Sequence, residues 1–367
     1  MISNKITHLI TTIERGGAEK QLLILASEQV KSGLQVEVFY LKGKPELNTE
    51  FEAAGVLVNS SLVGNNFLKQ ILILSKYLRN FPSPIHAHLP KSELLAAIAI
   101  SNKHFIFSRH NAEPFWPGSP KVISMLLSRF VCKRAKKGIA ISNAVKDYLM
   151  DRGEIPRNYP IEVVYYGLQK EISINQRGLE MIFKFIIEKS SNYKIGTIAR
   201  LVPQKDYSTL LNSFSAVLKN TPNVDLYIVG DGYLQKDLNG LTTKLGIDKN
   251  VHWLGKTEFV NEFLSSIDLF VLSSKYEGFG LVLLEAMISK KPILAANNSA
   301  IPEVLGKSYE GLFPTGDVNA LASKINRTIT DSHYSNNLVK FLSSQIKFFD
   351  PKEMNKKVDH VYSNAGF

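Results

Sequence analysis

Leu269-Phe270-Val271-Leu272-Ser273-Ser274-Lys275-Tyr276-Glu277-Gly278-Phe279-Gly280-Leu281-Val282-Leu283-Leu284-Glu285-Ala286-Met287 decides the fold. Four apolar residues read as a buried strand. A loop flanked by glycines follows, and an apolar helix opens at about Leu281. The helix start offers free N–H groups and partial positive charge to an anion. Glu277 stands before that helix and Glu285 in its second turn, and carboxylates there accept hydrogen bonds from sugar or ribose hydroxyls. As plain structure they are a capping residue and a surface residue, but polar groups inside so apolar a stretch need a reason.

The same strand–loop–helix unit recurs on both sides. Downstream lie strand 292–295 and helix 318–326. Upstream are strand 194–199, helix 208–219, strand 225–229, helix 234–245 and strand 251–253. The first half repeats the alternation: strand 6–10, helix 17–30, strand 36–41, strand candidates 105–108 and 138–141, helix 143–150 and strand 161–165. Strands separated by helices imply parallel sheets with crossover helices. Residues 169–192 loosen into polar sequence and then an ambiguous segment, Leu179–Ile187, read as an interdomain helix. A polar helix begins near Met354. Two α/β domains facing each other across a cleft, with a hinge between them, is the architecture expected, and the ligand belongs at the strand carboxyl ends.

At 367 residues the chain has room for two cores. With 44% hydrophobic and 21% charged residues it has the make-up of a soluble globular protein. No apolar run approaches the roughly 18 residues of a membrane span. Residues 6–13 lack the apolar length and cleavage site of a secretory signal. Cys132 is the only cysteine, so disulfides and thiolate zinc sites are out, and a reducing cytoplasm is expected. The net charge of +11 is concentrated between Lys103 and Lys137, where Arg109, Lys121, Arg129, Lys133, Arg134, Lys136 and Lys137 face only Glu113. Beside those cations stand Val122, Ile123, Met125, Leu126, Leu127, Phe130 and Val131. The stretch fits either an anionic membrane surface, met through Lys133, Arg134, Lys136 and Lys137, or a packed helix with a solvated basic end. Nucleic-acid binding is not expected, because few aromatics interleave with these charges.

Three further stretches bear on ligand binding. Arg200 and Lys205, in Arg200-Leu201-Val202-Pro203-Gln204-Lys205-Asp206, leave a parallel strand where ligands bind, and together offer a forked donor and a point charge to phosphate. The bland reading is a solvated loop. Val229-Gly230-Asp231-Gly232 is a tight strand-to-helix turn that also lets a ligand approach the backbone. His252 and Trp253 fit a base pocket or a core equally. His86 and His88, in Ile85-His86-Ala87-His88, suggest a metal pair, but no third ligand is spaced to complete a site, and they read as structural or cleft-lining.

Taken together these residues resemble the GT-B-fold retaining glycosyltransferases of family 4. The resemblance runs from Gly16-Gly17-Ala18-Glu19 through Ala140-Ile141-Ser142-Asn143-Ala144-Val145, Val164-Tyr165-Tyr166-Gly167 and the Arg200–Asp206 stretch to Gly311-Leu312-Phe313-Pro314-Thr315-Gly316-Asp317. The glutamate pair with seven residues between is its most specific element. It implies an acceptor-side domain over 1–168, a linker over 169–192, a nucleotide-sugar domain over 193–345, and a terminal helix, 346–367, returning to the first domain.

It also implies roles for single residues. Arg200 and Lys205 hold the donor diphosphate, Glu277 contacts the donor sugar and Glu285 the ribose. Gly16 and Gly17 approach the donor phosphate and sugar, and His110, in Ser108-Arg109-His110-Asn111, lies beside the sugar. Gly230, Gly278, Phe279, Gly280 and Leu281 complete the donor-binding set. Implied too are a UDP- or GDP-sugar co-substrate, no cofactor and no metal, and a glycan or lipid-linked acceptor, with bacterial surface polysaccharide synthesis as the setting. Another GT-B enzyme such as a nucleotide-sugar epimerase, or a non-catalytic nucleotide-sugar binder, is the rival reading. Ser299 and Ala300 depart from the family, which usually has a glycine pair there.

Overall fold

A computed structural model describes residues 4–100, 104–168, 174–182, 186 and 192–367. The chain divides into two compact units, residues 1–169 with 349–367, and residues 170–348.

The first unit is built from β1 (Lys5–Ile10), α1 (Gly17–Lys31), β2 (Gln35–Tyr40), α2 (Asn48–Ala53), β3 (Leu57–Asn59) and α3 (Phe67–Asn80). It continues with β4 (Ile85–His88), α4 (Pro90–Ala99), β5 (Phe105–Arg109), α5 (Lys121–Arg134), β6 (Gly138–Ala140), α6 (Asn143–Asp151) and β7 (Ile161–Val163). The seven strands pair in the order β3-β2-β1-β4-β5-β6-β7, all parallel. Sequence order reverses between β1 and β4, so the loops leaving those strands open a crevice at their carboxyl ends.

The second unit starts with α7 (Gln176–Ile182), β8 (Tyr193–Ile198), α8 (Tyr207–Leu218), β9 (Val224–Val229), α9 (Gln235–Leu245), β10 (Val251–Gly255) and α10 (Val260–Ser266). Then come β11 (Leu269–Leu272), α11 (Leu281–Ile288), β12 (Ile293–Ala296), α12 (Ile301–Leu305), β13 (Leu312–Phe313), α13 (Val318–Thr330) and α14 (Ser332–Gln345). Its parallel sheet runs β10-β9-β8-β11-β12-β13, with the reversal between β8 and β11. Each unit is thus Rossmann-like, a parallel sheet with flanking helices.

Two expectations need adjusting. The strand expected to run to Tyr165 stops at Val163, because beyond it the chain turns toward the last helix, α15 (Pro351–Asn364): a Cβ on Gly167 would lie 2.6 Å from Pro351 Cα. The helix expected over Leu179–Ile187 is seen as α7, ending at Ile182; residues 183–185 and 187 lie outside the described residues, as does much of the expected linker.

The terminal helix starts at Pro351 rather than Met354, with the Asp350 carboxylate accepting from Lys352 N–H at 2.9 Å. Met354, Val358, Val361 and Tyr362 lie on its inner face. They join Leu22, Leu25 and Ala26 of α1 in one core cluster.

Candidate active site

In the second unit the loop leaving β8 carries Arg200 and Lys205, and the loop leaving β11 carries Glu277. The strands are neighbours, and the loops are stitched together. Lys275 N–H donates to Gln204 O at 2.7 Å, Gln204 Nε2 to Tyr276 O at 2.9 Å, and Ser273 Oγ to Lys205 O at 2.9 Å. Lys205 Nζ meets Glu277 Oε1 at 2.6 Å, and Ser274 Oγ donates to the same oxygen at 2.6 Å. With side-chain exposures of 14% and 8%, this ion pair is mostly out of water, and its two charges largely cancel. Arg200 is exposed and its guanidinium makes no hydrogen bond or ion pair among the described residues. The loop therefore presents one uncommitted forked donor next to a neutralised lysine–carboxylate pair.

The backbone of these loops is tightly set. Gly280 caps α11 with φ 84°, in the left-handed region. Leu281 opens the helix half-buried, Gly278 is half-buried, Phe279 is buried, and Glu285 is half-buried one turn further along. Gly230 has φ +140°, and a Cβ there would sit 2.0 Å from Ala199 O. Its lack of a side chain is thus required by packing against β8, whatever else it contacts.

Ser299 adopts φ 42°, a left-handed conformation that explains why glycine suits this position. Its hydroxyl accepts from Glu277 N–H at 2.7 Å and donates to Asn298 Oδ1 at 3.0 Å. The departure from the glycine pair thus gives a side chain that holds the Glu277 loop. His252 stacks on Tyr227 with ring centroids 4.7 Å apart and has Asp225 Oδ1 at 3.5 Å.

In the first unit Gly16 caps α1 and Gly17 begins it. A Cβ on Gly16 would meet the Glu19 carboxylate at 2.2 Å, and that carboxylate accepts from Thr12 Oγ at 2.7 Å. His110 leaves β5 and is bonded through both ring nitrogens, to His88 at 3.1 Å and to Tyr166 Oη at 2.5 Å. Burial pushes its pKa down to about 3, so the ring is neutral at neutral pH. His8 is lowered to about 4 for the same reason, and His86 and His88 are held well below the usual histidine range.

Spacing supplied no third imidazole for His86 and His88, but the parallel register does. His8 on β1 lies opposite His86 on β4. Ligand atoms of His8, His86 and His88 all fall within 4.8 Å of one another. Every nitrogen of the three already has a hydrogen-bond partner: Gln29, Tyr362, Ser108, His110 or one another. Sequence reading missed His8, Gln29, Tyr166 and Tyr362 because they come from four separate stretches, strand β1, helix α1, the segment after β7 and helix α15, that only the fold brings together. The available signal was that both β1 and β4 carry histidine where a buried strand wants aliphatics.

The basic stretch also resolves differently from its sequence. Arg109 is 4% exposed and paired with Glu93 at 2.7 Å, between the Phe107 and Phe115 rings. Arg134 donates to the carbonyls of Ala97 and Ile100, Lys136 to that of Ala365, and Lys137 pairs with Glu162. Of the four cations expected to meet a membrane, only Lys133 is a plainly exposed one. Arg134 and Lys136 thus spend their charge on neighbouring backbone carbonyls, and Arg109 and Lys137 theirs on carboxylates. What stays outside on α5 is apolar side chains beside three cations: Val122, Ile123, Leu126 and Phe130 are each at least 40% exposed, and Lys121, Arg129 and Lys133 are exposed with them.

Residues 15–171 match the model for Glycosyltransferase Family 4, and residues 180–343 match the model for Glycosyl transferases group 1. A lipopolysaccharide core biosynthesis glycosyltransferase of Rhizobium meliloti is 28% identical over 137 residues, covering 37% of this chain and 39% of the relative. The N-acetyl-alpha-D-glucosaminyl L-malate synthase of Bacillus anthracis is 26% identical over 259 residues, 70% of this chain and 65% of the relative. Neither alignment reaches two thirds of the relative's length. HepE of Anabaena, solved in complex with UDP, superposes with a TM-score of 0.81 at 22% identity over 98% of this chain and 100% of that one. The fold is GT-B, and with the two models following one another along most of the sequence the chain belongs to the family-4-like GT-B glycosyltransferases.

Proposed function

We propose that this protein is a retaining, metal-independent glycosyltransferase that moves a sugar from a UDP- or GDP-sugar to a glycan or lipid-linked acceptor in bacterial surface polysaccharide synthesis. The observation that carries the reading is the uncommitted Arg200 guanidinium beside the Lys205–Glu277 pair, where the second sheet reverses its strand order. Breaking a sugar–phosphate bond builds positive charge on the ring and negative charge on the leaving diphosphate. Arg200 stabilises the diphosphate by a bidentate contact. Lys205 is shared between that anion and Glu277, whose carboxylate accepts from sugar hydroxyls. Glu285 takes the ribose in the same way, and Gly278, Phe279, Gly280 and Leu281 bring the α11 N-terminus to the phosphates. Two side-chain cations then do what a metal would. Retention follows from same-face attack, with the departing phosphate taking the acceptor's proton.

His110, with Gly16 and Gly17, belongs to the same machinery in this reading. The acceptor's seat is a cavity of about 420 Å³ in the first unit, lined by Thr12, Lys42, Lys91, Glu93, His110 and Trp116. The relatives' names, in lipopolysaccharide core and malate glycoside synthesis, support a transferase with a small or membrane-borne acceptor.

No helix among the described residues is long and apolar enough to cross a membrane. Our reading is a cytoplasmic enzyme resting on an anionic inner leaflet through the exposed α5 face and Lys121, Arg129 and Lys133. Flotation with anionic vesicles tests that part: loss of binding in Leu126→Asp supports it, and no flotation of the native chain at moderate salt removes it.

The central test is calorimetry with UDP and with GDP, followed by a donor panel read by release of nucleotide. Binding of one diphosphate and turnover of its sugar is the expected result. No binding of either would end the transferase reading.

A further inference from the structure

We propose that Gln29 is a positioning residue for His110, acting through His8 and His88 and held in place by Tyr362 of the last helix. The idea builds on the assignment of His110 to the transferase machinery and adds how its ring is set. All the contacts lie within the first unit.

Hydrogen-bond direction carries the inference. A glutamine amide has one end that only accepts and one that only donates. Gln29 Nε2 donates to Tyr362 Oη at 3.1 Å, which turns Oε1 toward His8. His8 Nε2 must then carry its proton and donate, at 2.7 Å, leaving Nδ1 as a lone pair. That lone pair accepts from His88 Nε2–H at 2.9 Å. His88 Nδ1, now also a lone pair, accepts from His110 Nε2–H at 3.1 Å. His110 Nδ1 accepts from the Tyr166 hydroxyl at 2.5 Å.

Each neutral ring gives one hydrogen bond and takes one, so the direction chosen at Gln29 runs unbroken to His110. On the second branch Tyr362 O–H donates to His86 Nδ1 at 2.8 Å, and His86 Nε2–H donates to Ser108 Oγ at 2.7 Å.

Burial makes this direction binding. Gln29, His8 and His86 are 0% exposed and His88 is 1%, so water cannot repair a mismatch. If one ring took the other tautomer, two lone pairs or two protons would face each other at about 3 Å, and a buried unpaired polar group is costly. Turning the Gln29 amide over would invert every bond and give His110 the opposite tautomer. Tyr362 and His86 would have to reverse with it, so both branches share the one direction that the amide sets. The chain thus delivers His110 in one orientation and one tautomer from an anchor two imidazoles away, and the terminal helix is part of the anchor. The nitrogens that come together as a possible metal cluster are the ones that carry this relay, and none is left over.

The test is ¹⁵N NMR of the histidine-labelled full chain, beside steady-state donor turnover. The native protein is expected to show His110 as the Nε2–H tautomer. Gln29→Leu should mix the two tautomers and lower kcat, with donor KM unchanged, by about 10- to 100-fold, the usual effect of removing a partner that orients a functional imidazole. Tyr362→Phe, which spares every imidazole and keeps the ring that packs in the core, should give a smaller change of the same kind. Gln29→Glu, which still accepts from His8, should keep the His110 tautomer.

A folded Gln29→Leu or Tyr362→Phe protein with native His110 shifts and native kcat would overturn the proposal. So would tetrahedral Co²⁺ absorption bands that disappear in His86→Asn, since the relay nitrogens would then be ligands. The NMR result stands apart from turnover. A chain that consumes no nucleotide sugar would end the transferase reading while the tautomer measurement still decides this one.

Discussion

The two sheets end in opposite chemistry. At the carboxyl edge of the first sheet four neutral imidazoles cluster, three of them, His8, His88 and His110, bonded in a row and His86 packed against them. The same edge of the second sheet has an ion pair at 2.6 Å and an exposed, uncommitted arginine. Both arise from the same strand-order reversal, so topology alone does not dictate what is placed there. One end is built to hold shape without charge, the other to meet charge that arrives with a ligand.

Acid should break the comparison most visibly. The folded pKa values of His8, His86, His88 and His110 lie below the unfolded value near 6.5. The unfolded chain therefore binds more protons as pH falls below 6.5, and stability drops with it. Between pH 7 and pH 5 each imidazole therefore withdraws stability from the folded state. Glu93 acts the other way. Burial, only partly offset by Arg109, raises it to about 7, so acidification over the same window returns about 2 kcal/mol. Four imidazoles oppose one carboxyl, so acid weakens the first unit. Hydrogen exchange on the intact chain at pH 7 and pH 5 should show protection vanishing from β1 and β4 while β8 and β11 keep theirs. Equal loss in both units would mean the imidazoles are not neutral in the folded state.

On the charged side the corresponding break is Arg200→Ala. Removing one preorganised donor from a developing anion costs roughly 3–4 kcal/mol, or about 10²–10³ in turnover. Arg200→Lys should recover only part of it, because a point charge cannot fork. Release of nucleotide measures both, and a native rate in Arg200→Ala would remove the diphosphate role. Neither variant should alter the acid profile of the first unit.

How much of this the sequence tells depends on the range of the interaction. The β11–loop–α11 unit is local, and its strand and helix fall at Leu269–Leu272 and Leu281–Ile288 as read. The pairing of Lys205 with Glu277 spans 72 residues and becomes visible only when β8 and β11 lie side by side. The histidine relay is harder still, since it needs the β1–β4 register, the inner face of α1 and a tyrosine from the last helix. The basic run left two readings open because a count of charges cannot say where they point. Long side chains with backbone carbonyls in reach spend their charge indoors.

Two glycine-type positions sharpen the comparison on the backbone of the second unit. Gly230→Ala would force a Cβ to within 2.0 Å of the Ala199 carbonyl oxygen at φ +140°. The cost should be about 1–3 kcal/mol, read from the urea midpoint. Lost diphosphate binding with no loss of stability would assign Gly230 to the ligand rather than to β8.

Ser299 gives the smallest effect and the most discriminating one. Ser299→Gly removes a left-handed strain of about 1 kcal/mol and also a hydrogen bond to Glu277 N–H worth about as much, so stability should hardly move. Ser299→Ala keeps the strain and loses the bond, and should sit about 1 kcal/mol below the glycine variant. If alanine is the more stable of the two, the left-handed backbone is not the reason glycine suits this position. The serine would then owe its place to the Glu277 loop alone, and both variants should weaken nucleoside diphosphate binding equally.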